Sequence, residues 1–99
     1  MPSKVYIIGP MKDVKSLHTQ QRFLKAQKQL EHLNLKVFNP LNSFLFYRES
    51  KEKAVRCNLH GLLDSNAVYV LKDAMTGSMK DQAELILAMK MNLLIMHEF

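Results

Sequence analysis

The sequence predicts an α/β fold: a small doubly wound, three-layer sandwich on a parallel sheet of four or five strands. Three observations carry this. Short apolar runs rich in β-formers recur at Lys4 to Ile8, Leu35 to Phe38, Ala67 to Leu71 and Leu93 to Met96. They do not alternate apolar with polar, as strands buried on both faces do not. Segments of helical period separate them, and a strand–helix–strand unit of about 35 residues is almost always a right-handed parallel crossover. No repeat, linker or low-complexity stretch interrupts the chain, so residues 1–99 read as a single domain.

The first strand, KVYII, ends at Gly9-Pro10. Glycine there permits a close backbone approach or a positive φ, and proline stiffens the exit. A plain turn and a ligand loop are equally good readings. Val14 to Leu33 is expected to be helical, with Leu17, Phe23, Leu24, Ala26, Leu30 and Leu33 as its apolar stripe. Asp13 suits its N-cap and Asn34 a left-handed stop. The second strand follows at once and closes on Asn39-Pro40.

The next segment is less regular. Glu52 to Leu63 reads as one helix, with Ala54, Val55, Leu59, Leu62 and Leu63 on one side, after a loop or short helical turn. Phe44, Phe46 and Tyr47 suit core, a lid or a dimer surface. The stretch from Ala67 to Met96 organises the rest: strand, loop, helix, strand. Ser78 with Asp81 fits a capping pair at the helix start. Glu84 lies within a helix so apolar that heavy burial is expected. With the first strand central beside the third, this is the doubly wound (flavodoxin- or Rossmann-like) pattern, which binds ligands beyond the carboxyl ends of its strands.

Bulk properties exclude several functions. No apolar run reaches the ~18–20 residues of a membrane span, and the N-terminus lacks signal-peptide features. The lone Cys57 suits a reduced thiol, so a cytoplasmic location is expected. The four histidines have no metal-ligand spacing; neither a metal nor a cofactor is expected. The net charge is +5; Lys12, Lys15, Arg22, Lys25 and Lys28 are spread along one helix, and no Lys/Arg block with interleaved aromatics occurs. Nucleic acid is therefore a weaker partner than a small anion. With only Gly9, Gly61 and Gly77, no GxGxxG or P-loop can be written, and no serine sits in a GxSxG elbow.

Four segments together resemble the nucleoside 2-deoxyribosyltransferase-like superfamily, in its short, DUF4406-like form. They are Val5-Tyr6-Ile7-Ile8-Gly9-Pro10-Met11, Val37-Phe38-Asn39-Pro40, Asn66-Ala67-Val68-Tyr69-Val70-Leu71, and Ser78 with Glu84 six positions on. The resemblance implies cleavage of the N-glycosidic bond of a nucleoside or nucleotide, with the sugar passed to another base or to water. It implies Glu84 as the nucleophile, oriented by Tyr6, as retaining glycosidases use a carboxylate against an oxocarbenium-like centre. It places Asn66 where the family has an acid serving the leaving base, and Asn58 at a second commonly acidic position. It gives Ser78 the 5′-phosphate and Gly9, Pro10, Met11 and Lys12 the sugar or phosphate; Lys80, where the family has a small residue, either adds charge for a phosphate or blocks the pocket by its bulk. A homodimer is expected on the same grounds. Because an amide is no general acid, a nucleotide-binding module without turnover stands as the alternative, ahead of a small nucleic-acid-associated protein.

Overall fold

The computed structural model describes residues 3–11, 14–72, 74 and 79–98. Four strands, β1 (Lys4–Ile8), β2 (Lys36–Phe38), β3 (Ala67–Val70) and β4 (Leu94–His97), form one sheet in the order β2-β1-β3-β4. Every pairing is parallel, with Val5 opposite both Val37 and Ala67, and Ala67 opposite Leu94. Four helices, α1 (Leu17–Glu31), α2 (Pro40–Phe46), α3 (Lys51–Leu63) and α4 (Met79–Lys90), fill the crossovers. The chain is an α/β, doubly wound three-layer sandwich with β1 and β3 central.

Alternate residues of β1 serve opposite faces, as the strand period requires. Val5, Ile7 and Tyr69 pack with Phe23, Ala26 and Leu30 of α1 and Leu41 of α2. Tyr6, Ile8, Val68 and Val70 pack with Leu62 of α3 and Ala88 of α4. Both α1 and α4 end in a left-handed asparagine, Asn34 (φ 61°) and Asn92 (φ 58°). The next amide then bonds back five residues, Leu35 N to Leu30 O and Leu93 N to Ala88 O. This cap turns each helix straight into a strand.

The helices differ from the sequence expectation in detail. α1 starts at Leu17, later than Val14, because Ser16 caps it by accepting from Thr19 N; Asp13 lies outside the described residues. Leu17, Leu24 and Leu33 are exposed, and Phe23, Ala26 and Leu30 alone form the buried stripe. The second crossover holds two helices. α2 is set by Pro40 at its first position and the Asn39 side chain accepting from Leu41 N. On α3 the apolar residues split: Ala54 and Leu62 are buried, whereas Val55, Leu59 and Leu63 face solvent. The expected heavy burial of α4 is not found either. Only Asp81 and Ala88 are buried along it, and Met79, Ile86 and Met89 are exposed. A helix lying on a sheet buries one stripe however apolar its other sides.

A clamp at the carboxyl edge of the sheet ties Lys72, just after β3, to the end of β4. Glu98 Oε1 accepts from Arg22 Nη2 of α1 and from the Lys72 amide, both at 2.9 Å.

Candidate functional site

The residues of interest gather where β1 meets α4. Tyr6 is fully buried, and its hydroxyl donates to Glu84 Oε2 at 2.5 Å. Lys80, one helical turn before Glu84, donates to Glu84 Oε1 at 3.0 Å. The same ammonium donates to the Gly9 carbonyl at 3.3 Å and pairs with Asp81 Oδ1 at 2.6 Å. One lysine thus joins two carboxylates to the carboxyl end of β1.

Backbone and ring packing hold this arrangement. A β-carbon on Gly9 would collide with the Leu71 side chain and stand 3.1 Å from Phe23, so glycine is there for close approach. The Tyr6 ring stacks on Phe38, 5.5 Å between centroids and 12° between planes. The Lys4 ammonium lies 5.6 Å from the Phe38 centroid. Gly61 of α3 lies against that phenylalanine; its β-carbon would be 2.5 Å from the ring. Sheet, α3 and α4 thereby fix the Tyr6 hydroxyl in direction.

The electrostatics follow from burial. Desolvation raises the Glu84 carboxyl above its usual range, and the Lys80 charge and the Tyr6 hydrogen bond pull it back down. Burial, and then the Glu84 charge, push the Tyr6 phenol well above its usual range. Tyr6 therefore remains a neutral donor at any working pH.

Beside this cluster, at the carboxyl edge of the sheet, lies a cavity of about 410 Å³. Its walls are Met11, Val14 and Lys15 before α1, Phe44 and Tyr47 around the end of α2, Arg48 and Lys51 at the start of α3, and Lys80. Lys80 is the side chain common to the cavity and the carboxylate cluster.

The structure brings Tyr6, Gly9, Lys80 and Glu84 together, with Met11 on the cavity wall and Pro10 half-buried between. Lys12 and Ser78 lie outside the described residues. Asn58 is 4% exposed on the inner face of α3, away from the cavity walls; its Oδ1 has no hydrogen-bond partner among the described residues.

Asn66 takes no part in these contacts. It is exposed, its Oδ1 accepts from the Lys4 amide, and its own amide donates to the Lys4 carbonyl. It stands at the amino end of the sheet, level with Lys4. Gly9 is five residues further along β1, roughly 16 Å at ~3.3 Å per residue. A residue that precedes a parallel strand is at the edge opposite to residues that follow one.

Two features escaped the sequence reading. Asp81, taken as a capping acid, is fully buried beside Lys80. Its spacing of three from Glu84 and seven from Ala88, one helix stripe, was the available signal. The cationic cavity was hidden because Lys15, Arg48, Lys51 and Lys80 come from three separate segments. Among the described residues no group of His, Cys, Asp and Glu is set to hold a metal. No helix among them is long and apolar enough to cross a membrane.

A family model described as a domain of unknown function (DUF4406) matches residues 3–97, and the chain belongs to that family. No curated protein and no solved structure matches it.

Proposed function

We propose that this DUF4406 chain acts on the N-glycosidic bond of a nucleoside or nucleotide, in the manner of the nucleoside 2-deoxyribosyltransferase-like superfamily it resembles. The observation that carries this reading is the partly buried Glu84 carboxylate, held by Tyr6 and Lys80 at the carboxyl edge of a central strand, next to a cavity. A carboxylate fixed by two donors keeps one attack direction, which is where most of the gain from positioning arises.

In the proposed reaction a Glu84 oxygen attacks the anomeric carbon as the bond to the base nitrogen breaks. The bonding pair leaves with the base, which takes its proton from solvent, since Asn66 is at the other end of the sheet. The glycosyl ester on Glu84 is then opened by water or by a second base, and the carboxylate is regenerated. Tyr6 orients Glu84, and the Lys80 charge favours its ionised form against the cost of burial. Incubation with a panel of deoxynucleosides, ribonucleosides and their 5′-monophosphates, beside Glu84→Ala, tests the reading. Equal base release by both proteins sinks it.

One observation favours a second reading, a nucleotide-binding module without turnover. Both Glu84 oxygens are already engaged, one by Tyr6 and one by Lys80. Nucleotide binding by calorimetry, with no base release by wild type, supports that reading; absence of binding removes it. In either reading we place the protein in the cytoplasm as a homodimer, with Phe46, 79% exposed, at the contact. A monomeric mass in light scattering removes the dimer.

A further inference from the structure

We infer that the buried Asp81 is a positioning residue: it is the standing counter-ion of Lys80 and keeps that ammonium in place when Glu84 gives up its charge. The catalytic consequence rests on the glycosidic reading above; the pairing itself is tested without turnover.

Asp81 is the one fully buried acid among the described residues. A carboxylate taken out of water is costly unless a cation meets it. Lys80 does so, at 2.6 Å from Asp81 Oδ1. The same ammonium is 3.0 Å from Glu84 Oε1 and 3.3 Å from the Gly9 carbonyl. Asp81 is thus the nearest of its three acceptors. It is also the driest, with its side chain 0% exposed against 16% for Glu84. An ion pair strengthens as water is excluded from it. After burial, the Asp81 charge adds to the rise of the Glu84 carboxyl, so the two acids sense each other.

Counting charge through the proposed reaction gives Asp81 its part. Before attack the cluster holds two carboxylates and one ammonium, a surplus of one negative charge facing the oxocarbenium-like centre. When a Glu84 oxygen bonds the anomeric carbon, the carboxylate becomes a neutral ester and the bonding pair leaves with the base. Lys80 then loses one counter-ion and keeps the other. Without Asp81, its ammonium would stand uncompensated beside a centre that is itself turning positive. A helix cap is the plainer role for an acid in the first turn of α4, since the dipole favours an anion there. A solvated acid meets the dipole equally well, however, so capping does not account for the burial or for the contact with Lys80.

Heteronuclear NMR of the lysine ammonium groups reads the pairing, because such a group gives a sharp signal when its protons exchange slowly. The Lys80 signal is assigned by its absence in Lys80→Met. Expected is a signal kept in Glu84→Gln, where residue 84 is neutral as in the ester, and exchange at least about tenfold faster in Asp81→Asn. Loss of the signal in Glu84→Gln, or unchanged exchange in Asp81→Asn, overturns the inference; if Asp81 is only a cap, Asp81→Asn lowers Tm and leaves the signal alone. Should Asp81→Asn not fold, Glu84→Gln still decides. Base release from deoxynucleosides is scored separately. Asp81→Asn is expected to lower kcat about tenfold with KM within about twofold, and Asp81→Asn/Lys80→Met, which restores the surplus negative charge, to be faster than Asp81→Asn. A double variant no faster than the single one refutes the catalytic consequence. A wild type that releases no base refutes the glycosidic reading and leaves the NMR result to stand by itself.

Discussion

Phe38 lies flat on Tyr6, ring planes 12° apart, and Gly61 leaves the space that lets it do so. Gly61→Ala gains about 1 kcal/mol of helix propensity. Its methyl group meets three carbons of a ring that is pinned by Tyr6 on one side and approached by Lys4 on the other. Such overpacking costs typically 1–3 kcal/mol. Urea unfolding is expected to show a net loss of stability; a net gain means that the ring swings aside freely.

Tyr6→Phe removes one of the two donors that hold Glu84. Since the Tyr6 hydrogen bond lowers the Glu84 pKa, its loss lets burial raise that pKa further. If ionised Glu84 is the reacting form, the acid limb of the pH–rate profile moves to higher pH. Base release at neutral pH falls by roughly ten- to a hundredfold, in proportion to a lost charge-assisted hydrogen bond. An unmoved acid limb argues that Tyr6 only packs.

The raised Glu84 carboxyl also fixes how stability depends on pH. The folded protein binds this proton more tightly than the unfolded chain does. Above the ordinary carboxylate range, stability therefore declines as pH rises through the raised folded value. Glu84→Gln lacks this titration. Its Tm relative to wild type should climb as pH rises from the ordinary carboxylate range, a stability gain at an active position. A constant or shrinking difference contradicts the sign.

Asn66→Asp restores the residue type the family resemblance expects, yet it leaves base release within about twofold of wild type, because it is roughly 16 Å along the strand from Gly9. Asn66→Ala costs about 1 kcal/mol, since Asn66 Oδ1 receives the Lys4 amide. A large rise in rate for Asn66→Asp refutes the placement.

Glu98→Ala removes the hydrogen bonds from Arg22 Nη2 and from the Lys72 amide together. Losing the partly exposed Arg22–Glu98 ion pair costs on the order of 1 kcal/mol. Limited proteolysis with trypsin is expected to cut faster at Lys72. Unchanged proteolysis and unchanged Tm show that the clamp is idle.

The sheet was readable because parallel strands buried on both faces leave uninterrupted apolar runs, as at Val5 to Ile8 and Ala67 to Val70. Asn34 was readable because few residues tolerate a left-handed turn. The outward apolar residues of α3 and α4 were not, since helical spacing gives a stripe but not which of two stripes meets the sheet. Tyr6 and Glu84 were drawn together by resemblance, and they meet in space. Asn66 was drawn in by the same resemblance and does not join them. Strand direction alone separates the two cases, because Asn66 precedes β3 whereas Gly9 follows β1.

The two outer strands of the sheet are short, three residues in β2 and four in β4. β2 begins on an exposed lysine, Lys36, and β4 ends on an exposed histidine, His97. An edge this brief offers a foreign strand few free amides and carbonyls, and a lysine at its start discourages docking. Runaway stacking of sheets into fibrils is thereby suppressed at both margins. The outward apolar surface is carried by helices instead, as on α3, where Val55, Leu59 and Leu63 stand outward at four-residue intervals.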